Sequence, residues 1–127
     1  MAVYEPATKK LSFIDLPADS RGPIQMFPTP DSRFIYLADQ GYYFNQPTGR
    51  AVFKIDLTIN QVVKTIETGN GPHGVLVSPG GRFVYITNLL DGDVAAIDSA
   101  TDEIVWKVEV GKEPNGISSW PSQPIGK

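Results

Sequence analysis

The sequence predicts an all-β fold built from β-propeller blades, each of which is a sheet of four short antiparallel strands. Three observations predict this fold class. A segment of the chain recurs at a spacing of about 42 residues. Each copy divides into short runs rich in β-branched and aromatic residues, separated by glycine, proline and aspartate. No stretch of ten or more residues repeats its apolar side chains at the helical period.

The recurrence is clearest around the turn that opens the second strand of each copy. The segment Ser-Pro-Gly-Gly-Arg-Phe-Val-Tyr-Ile-Thr-Asn at 78–88 matches Thr-Pro-Asp-Ser-Arg-Phe-Ile-Tyr-Leu-Ala-Asp at 29–39, at an offset of 49 residues. The segments that follow match at an offset of 42 residues. The difference between the offsets indicates a seven-residue insertion within 40–49 of the earlier copy.

Turn residues separate four strands within the later copy. Pro79 restricts one backbone angle and the two glycines after it adopt positive φ easily, so 78–81 predicts a tight turn. Asp91 and Gly92 mark a loop, and 99–102 marks a hairpin turn. The predicted strands, named A to D in each blade, cover 74–77, 82–87, 93–98 and 103–110.

The same pattern divides the whole chain, 1–127, into four segments, two of which are full blades and two of which are incomplete blades. The parts are strands C and D of one blade at 2–16, a full blade at 24–68, a second full blade at 73–110, and strand A of a next blade at 115–120. Eleven strands do not close a ring of the 4 to 8 blades that propellers contain. We therefore expect an incomplete propeller arc. Two alternatives stay open: the remainder of a longer propeller, or a dimer that completes a six-bladed ring.

Composition excludes several classes of function. The net charge of −3 and the absence of a basic patch argue against nucleic-acid binding. The chain contains no cysteine, which excludes disulfides and thiolate metal sites, and its one histidine makes a metal site or a bound cofactor unexpected. No apolar run approaches the roughly 20 residues of a membrane span. No basic and apolar leader opens the sequence, so we expect a soluble chain without its own export signal.

The tetrad Tyr85-Ile86-Thr87-Asn88, the opening Pro72-His73-Gly74 and the segment Ile97-Asp98-Ser99-Ala100-Thr101 resemble the YVTN family of β-propeller repeats. The resemblance covers nearly the whole chain, and it implies the propeller fold and a periplasmic or extracellular location. Similar repeats occur in binding propellers of cell-surface proteins, in quinone amine dehydrogenases, in the haem propeller of nitrite reductase and in lactonase-like propellers. The repeated residues are mainly structural, so the resemblance implies fold more strongly than function.

Propeller geometry places the candidate ligand-binding residues on one rim. The connections from strand D to the next strand A, and from B to C, lie at the same end of the sheets, which is where propellers usually bind ligands. The predicted ligand-binding residues on this rim are His73, Asn115, Asp39, Asn88, Tyr42, Tyr43 and Phe44. We expect a small molecule or a protein to bind there.

Each candidate also has a structural interpretation. His73 occupies the variable position of a Pro-x-Gly turn, so it is either a ligand-binding residue or a turn histidine with local hydrogen bonds. Asp39 and Asn88 either point at a central ligand or cap the connection after strand B. The three consecutive aromatic residues of the insertion either stack on a flat or sugar-like ligand or pack against the chain or a second subunit.

The sequence favours a non-enzymatic binding or interaction module. The alternative is a remnant or subunit of a propeller enzyme, either a lactonase-like hydrolase or an amine or quinone-type oxidoreductase. Hydrolysis is disfavoured because Leu89 stands where the resemblance implies an acidic residue, and because the chain has no Arg-His pair. No catalytic residue is predicted, since Ser78 and His73 lie at opposite ends of one predicted strand and form no triad.

Overall fold

The computed structural model describes residues 1–120, which form ten strands and one short 3-10 turn at Tyr42–Phe44. No helix among these residues has the length and apolar character that a bilayer crossing requires. The strands are β1 (Ala2–Glu5), β2 (Lys10–Phe13), β3 (Pro23–Pro28), β4 (Phe34–Asp39), β5 (Ala51–Asp56), β6 (Gln61–Glu67), β7 (Pro72–Val77), β8 (Phe83–Asn88), β9 (Asp93–Asp98) and β10 (Glu103–Glu109).

The strands form three antiparallel sheets that follow the chain order. Blade 1 is the pair β1-β2, blade 2 has the order β3-β4-β5-β6, and blade 3 has the order β7-β8-β9-β10. The sheets do not close into a ring, so the predicted fold class, an incomplete arc of antiparallel propeller blades, is confirmed. Strand β9 begins and ends at the predicted residues, and β7 begins two residues earlier than expected.

The turns form where the sequence predicts them. In the turn at 78–81, the amide of Gly81 donates to the carbonyl of Ser78 (2.8 Å), and the amide of Ser78 donates to the carbonyl of Phe83 (2.8 Å). Gly81 has a φ of 76°, a region that side chains with a Cβ rarely adopt. These bonds join β7 to β8 and set the register of blade 3.

Two apolar clusters hold the blades face to face. The first lies between blades 1 and 2, and it includes Ile14 of blade 1 and Ile35 and Phe53 of blade 2. The second lies between blades 2 and 3, and it includes Tyr36 of blade 2 and Val84 of blade 3. Strand alternation therefore gives each blade two apolar faces. We call the face toward the following blade the front face and the other the back face.

The predicted strand A at 115–120 is not paired in the structure. Residues 114–120 form no strand with any other part of the described chain. An innermost strand pairs with the second strand of its own blade, and residues 1–120 contain no such strand for this segment. The division of the chain into blade parts stays a prediction.

Candidate functional site

The insertion between β4 and β5 folds into a compact turn on one rim of the arc. Its base is closed by a hydrogen bond from the amide of Gly49 to the carbonyl of Gln40 (2.6 Å). A Cβ at Gly49 would lie 1.9 Å from the carbonyl oxygen of Asp39, so only glycine allows this closure. The closed base projects the 3-10 turn outward, with its aromatic rings about half exposed.

The structure brings the aromatic turn of blade 2 against His73 of blade 3. The rings of Tyr43 and His73 meet edge to face, with centroids 5.7 Å apart and planes at 84°. Tyr42 lies beside Tyr43 at a centroid distance of 5.6 Å. Such ring pairs are favourable contacts beyond the area they bury. We call Tyr42, Tyr43, Phe44 and His73 the aromatic rim surface.

Hydrogen bonding orients the His73 ring. Its Nδ1 lies 3.2 Å from the carbonyl oxygen of Asn115, and because a carbonyl only accepts, Nδ1 donates and carries the proton. The same carbonyl accepts a hydrogen bond from the Thr87 hydroxyl (3.0 Å). A Cβ at Gly74 would lie 2.6 Å from this oxygen, so the glycine after His73 permits the close approach. Asn115 thus contributes its backbone, and its exposed side chain remains available at the rim.

Asp39 is buried beneath the rim and holds the connection between blades 1 and 2. Its carboxylate accepts hydrogen bonds from the Ser20 hydroxyl (2.9 Å) and from the amides of Arg21 and Gly22 (both 2.7 Å). Both oxygens are therefore occupied by the chain, an arrangement that matches the capping interpretation. Asp39 lies outside the aromatic rim surface.

Asn88 holds the junction between blades 2 and 3 in the same way, through hydrogen bonds to the chain. It is fully buried, its amide nitrogen donates to the carbonyl of Thr68 (3.2 Å), and its amide oxygen accepts from the Thr68 hydroxyl (3.1 Å). The amide nitrogen also donates to Asp93 (2.6 Å). Asn88 therefore joins the end of β8 to the end of β6 and is not presented to a ligand in this structure.

A polar network on the same rim was not predicted. The Asp91 carboxylate accepts from the backbone amide and the side-chain amide of Asn70, both at 2.7 Å. Arg50 donates to the side chain of Asn70 and to Glu67. Burial raises the pKa of Asp91, but the two hydrogen bonds from Asn70 together with the positive charges of Lys107 and Arg50 outweigh it, so the pKa lies below its ordinary value. The two repeats have different residues at most of these positions, so a comparison of the repeats does not predict this network.

Gln40 is a second unpredicted feature, at the base of the aromatic turn. Its side chain is fully buried, and neither amide atom has a hydrogen-bond partner among residues 1–120. The equivalent residue of the next repeat is Leu89, which is also buried. A buried amide without partners costs free energy that leucine does not. We therefore expect Gln40 to destabilise the fold relative to leucine at this position.

The rim offers little for metal chemistry. Among the described residues, no three His, Cys, Asp or Glu side chains are grouped so that they could hold a metal ion. A cavity of about 210 Å³ opens near the insertion, lined in part by Arg21, Thr48 and Arg50. The rim can therefore offer aromatic faces and hydrogen-bonding groups to a ligand.

Comparisons with known proteins agree on the fold. No protein-family model matches this sequence. Over 52 residues the chain is 38% identical to PE-PGRS family protein PE_PGRS18 of Mycobacterium tuberculosis (strain ATCC 25618 / H37Rv), a match that covers 41% of this chain and 11% of that protein. This similarity is restricted to a part of each chain.

Solved propeller structures superpose on most of the chain. Hydrazine synthase of Kuenenia stuttgartiensis matches with a TM-score of 0.69 over 83% of this chain, at 22% identity. Apo AztD from Citrobacter koseri matches with 0.71 over 91%, at 14% identity, and the RRP9 WD40 repeats match with 0.64 over 77%, at 10% identity. The chain spans only 29% to 30% of those chains. At such identities the likeness shows the fold, which is that of β-propeller and WD40-type proteins.

Proposed function

We propose that this chain is part of a YVTN-type β-propeller and acts as a non-enzymatic binding module, with its ligand on the aromatic rim surface. The edge-to-face contact between Tyr43 and His73 carries the proposal. It links an insertion found in only one repeat to the single residue that the Pro-x-Gly turn leaves variable. Neither residue is needed for the repeat itself, so their association is available for recognition.

The exposed rings favour a ligand that stacks. Tyr42, Tyr43 and Phe44 each expose about half of their surface. Aromatic faces with polar ends suit sugar rings and planar molecules, and the half-buried imidazole adds an adjacent hydrogen-bonding edge. The ligand class that this surface supports is therefore a neutral sugar or a flat aromatic compound.

Titration calorimetry with cellobiose, maltose and indole as probes tests the proposal. We expect at least one probe to bind the wild type, and we expect Tyr43→Ala to weaken its binding about fivefold to tenfold through loss of the stacking contact. Ile59→Ala is the matched control, because Ile59 is also an exposed apolar residue but lies on the hairpin turn between β5 and β6, outside the aromatic rim surface. Absence of binding by all three probes, or equal weakening by the two variants, would refute this site.

Enzyme assays separate the binding module from the alternative. Wild-type protein is incubated with γ-butyrolactone, and separately with a primary amine and an artificial electron acceptor. A binding module is expected to give no turnover above buffer in either assay. Turnover that disappears in His73→Ala would instead support the remnant or subunit of a propeller enzyme.

A further inference from the structure

The two ends of the arc expose apolar blade faces that are buried elsewhere in the same molecule. Tyr36 and Tyr85 occupy equivalent positions of consecutive repeats, on the front faces of blades 2 and 3. Tyr36 is fully buried because blade 3 packs on it, whereas Tyr85 is only partly buried and lies at 5.8 Å from the half-exposed ring of Trp106. The front face of blade 3 is therefore a blade-docking face over which residues 1–120 place no blade.

The composition of this front face supports the same conclusion. Opposed residues of an antiparallel sheet share a face, and the register aligns Leu76 with Tyr85 and Trp106 with Ala96. Val108 is opposed to Val94 one step along the same face. These opposed pairs are uncharged, and the charged Asp98, which is opposed to Phe83, lies at one end of the same face. The segment after β10 touches only its innermost part, where Ile117 lies near Gly74.

The back face of blade 1 is also apolar and exposed. Tyr4 is opposed to Leu11 and Ala2 is opposed to Phe13, so these side chains share one face. Tyr4 stands at the repeat position of Ile97, which is fully buried on the back face of blade 3. Tyr4, Leu11 and Phe13 are exposed by 59%, 56% and 70%. Apolar exposure of this extent on one small sheet marks an interaction surface.

We propose that a second copy of this chain covers both faces, with the back face of its blade 1 packed on the front face of blade 3. The contact continues the two blade junctions already present in each copy, since every junction in the structure joins a front face to a back face. A two-fold axis repeats the contact and closes the ring. Two copies with three blade positions each make a six-bladed propeller, within the 4 to 8 blades of known rings.

The proposed ring also accounts for the position of the segment after β10. Residues 115–119 lie beside β7 of their own chain, on the side where the next blade would stand. In the ring that next blade is blade 1 of the partner copy, which contains two strands among the described residues. The segment would then occupy the inner edge of a hybrid blade. Each copy thus supplies the innermost segment of the other copy's blade, and the second strand of that hybrid blade is absent from residues 1–120 of both copies.

Size-exclusion chromatography with light scattering tests the proposal on the full chain. At micromolar concentration the wild type is expected to have twice the 13.9 kDa mass of one chain. Leu11→Asp on the back face and Trp106→Asp on the front face are each expected to halve the mass. Ile59→Asp is the matched control, because Ile59 is exposed by 56%, like Leu11, but lies on the hairpin turn of blade 2, outside both faces. It is expected to leave the dimer intact.

Mixing the two face variants distinguishes a head-to-tail contact from other dimers. Leu11→Asp keeps an intact front face and Trp106→Asp keeps an intact back face, so the mixture regains one intact contact and is expected to dimerise. A monomeric wild type would overturn the proposal and assign the faces to further blades of a longer chain. A mass above two copies, or a mixture that stays monomeric, would overturn the closed two-copy ring. Circular dichroism checks that each variant folds. If neither Leu11→Asp nor Trp106→Asp folds, the mass of the wild type by itself decides between a dimer and a monomer.

Discussion

Lys54 of blade 2 and Asp102 of blade 3 form an ion pair across the junction of the two blades, with the ammonium nitrogen 2.7 Å from the carboxylate oxygen. The ammonium also donates to the carbonyl of Ser99 (3.1 Å) and lies 4.6 Å from the ring centroid of Phe34. Lys54 is buried, so its charge depends on these partners rather than on water. The hairpin turn between β9 and β10 is thereby fixed to the sheet of blade 2.

Asp102→Ala is expected to lower the free energy of unfolding by about 3 kcal/mol, because it leaves the buried ammonium without its counter-ion. Lys54→Met combined with Asp102→Ala is expected to be less damaging than Asp102→Ala by itself, which a double-mutant cycle in urea measures. The control is Arg50→Ala, which breaks an exposed pair with Glu67 and is expected to cost less than 1 kcal/mol, in the range of surface pairs. Equal effects of Asp102→Ala and Arg50→Ala would contradict this role.

Gln40→Leu is expected to stabilise the protein by about 1–2 kcal/mol. The substitution removes a buried amide that has no partner in the described chain and installs the residue found at the equivalent position, Leu89. The midpoint of thermal unfolding measures the effect. Gln46→Leu is the control, since Gln46 is exposed in the same insertion. An unchanged or lower midpoint for Gln40→Leu would show that the amide has a partner in solution.

Asp39→Ala is expected to destabilise the protein by about 2–3 kcal/mol, since three donors in the connection from blade 1 lose their acceptor. The amides of Arg21 and Gly22 should then exchange with solvent faster, which hydrogen exchange followed by NMR measures. Asp19→Ala, at an exposed position of the same connection, serves as the control. If amide exchange at 21 and 22 is the same in both variants, Asp39 does not hold this connection.

Acid is expected to destabilise the fold through carboxylates that accept hydrogen bonds. The hydrogen bonds from the Thr58 side chain and amide lower the pKa of Asp56, and those from the Thr29 hydroxyl and the Arg33 amide lower the pKa of Asp31. A carboxyl group whose pKa is lower in the folded than in the unfolded state stabilises the fold at pH values above its unfolded pKa of about 4. This contribution is lost as the pH falls through the pKa of the folded state. Urea unfolding from pH 7 to pH 3 should show the decline.

Two substitutions isolate this contribution. Asp56→Asn is expected to make stability below about pH 4 less dependent on pH, because one linked carboxylate is gone. Asp15→Asn, at an exposed carboxylate, is expected to retain the wild-type dependence. An identical pH dependence in the wild type and Asp56→Asn would contradict the assignment.

The architecture could be predicted from the sequence because the residues that recur between the repeats are the ones that form the turns and pack between the blades. Gly81 and Pro79 form the turn, and Tyr36 and Val84 lie in apolar strand segments that recur from one repeat to the next, so blade packing is visible in the sequence as a repeat. The division into four-stranded antiparallel sheets was predicted on this basis and is confirmed. The strand ends shifted by at most two residues where hydrogen bonding extends the ladder beyond the apolar pattern, as at Pro72.

The candidate site was less accessible to sequence reasoning. Its residues were placed on one rim by topology, but the contact between Tyr43 and His73 depends on how an insertion folds, and an insertion has no repeat to compare with. The inward orientation of Asp39 and Asn88 depends on donors supplied by the preceding connection, such as the amide of Gly22. Side-chain partners between blades leave no periodic pattern in the sequence, so the sequence leaves both interpretations of Asp39 and Asn88 open.

The most direct test of the proposed binding surface is a map of backbone amide chemical shifts on titration with the calorimetric probe that binds most tightly. The account predicts shifts centred on residues 41–46 and on His73, with smaller shifts at 115–116, and a Tyr43→Ala variant that needs about fivefold to tenfold more probe to reach the same shifts. Shifts centred on the outer groove between Phe13 and Val63, or spread evenly over the chain, would contradict the account.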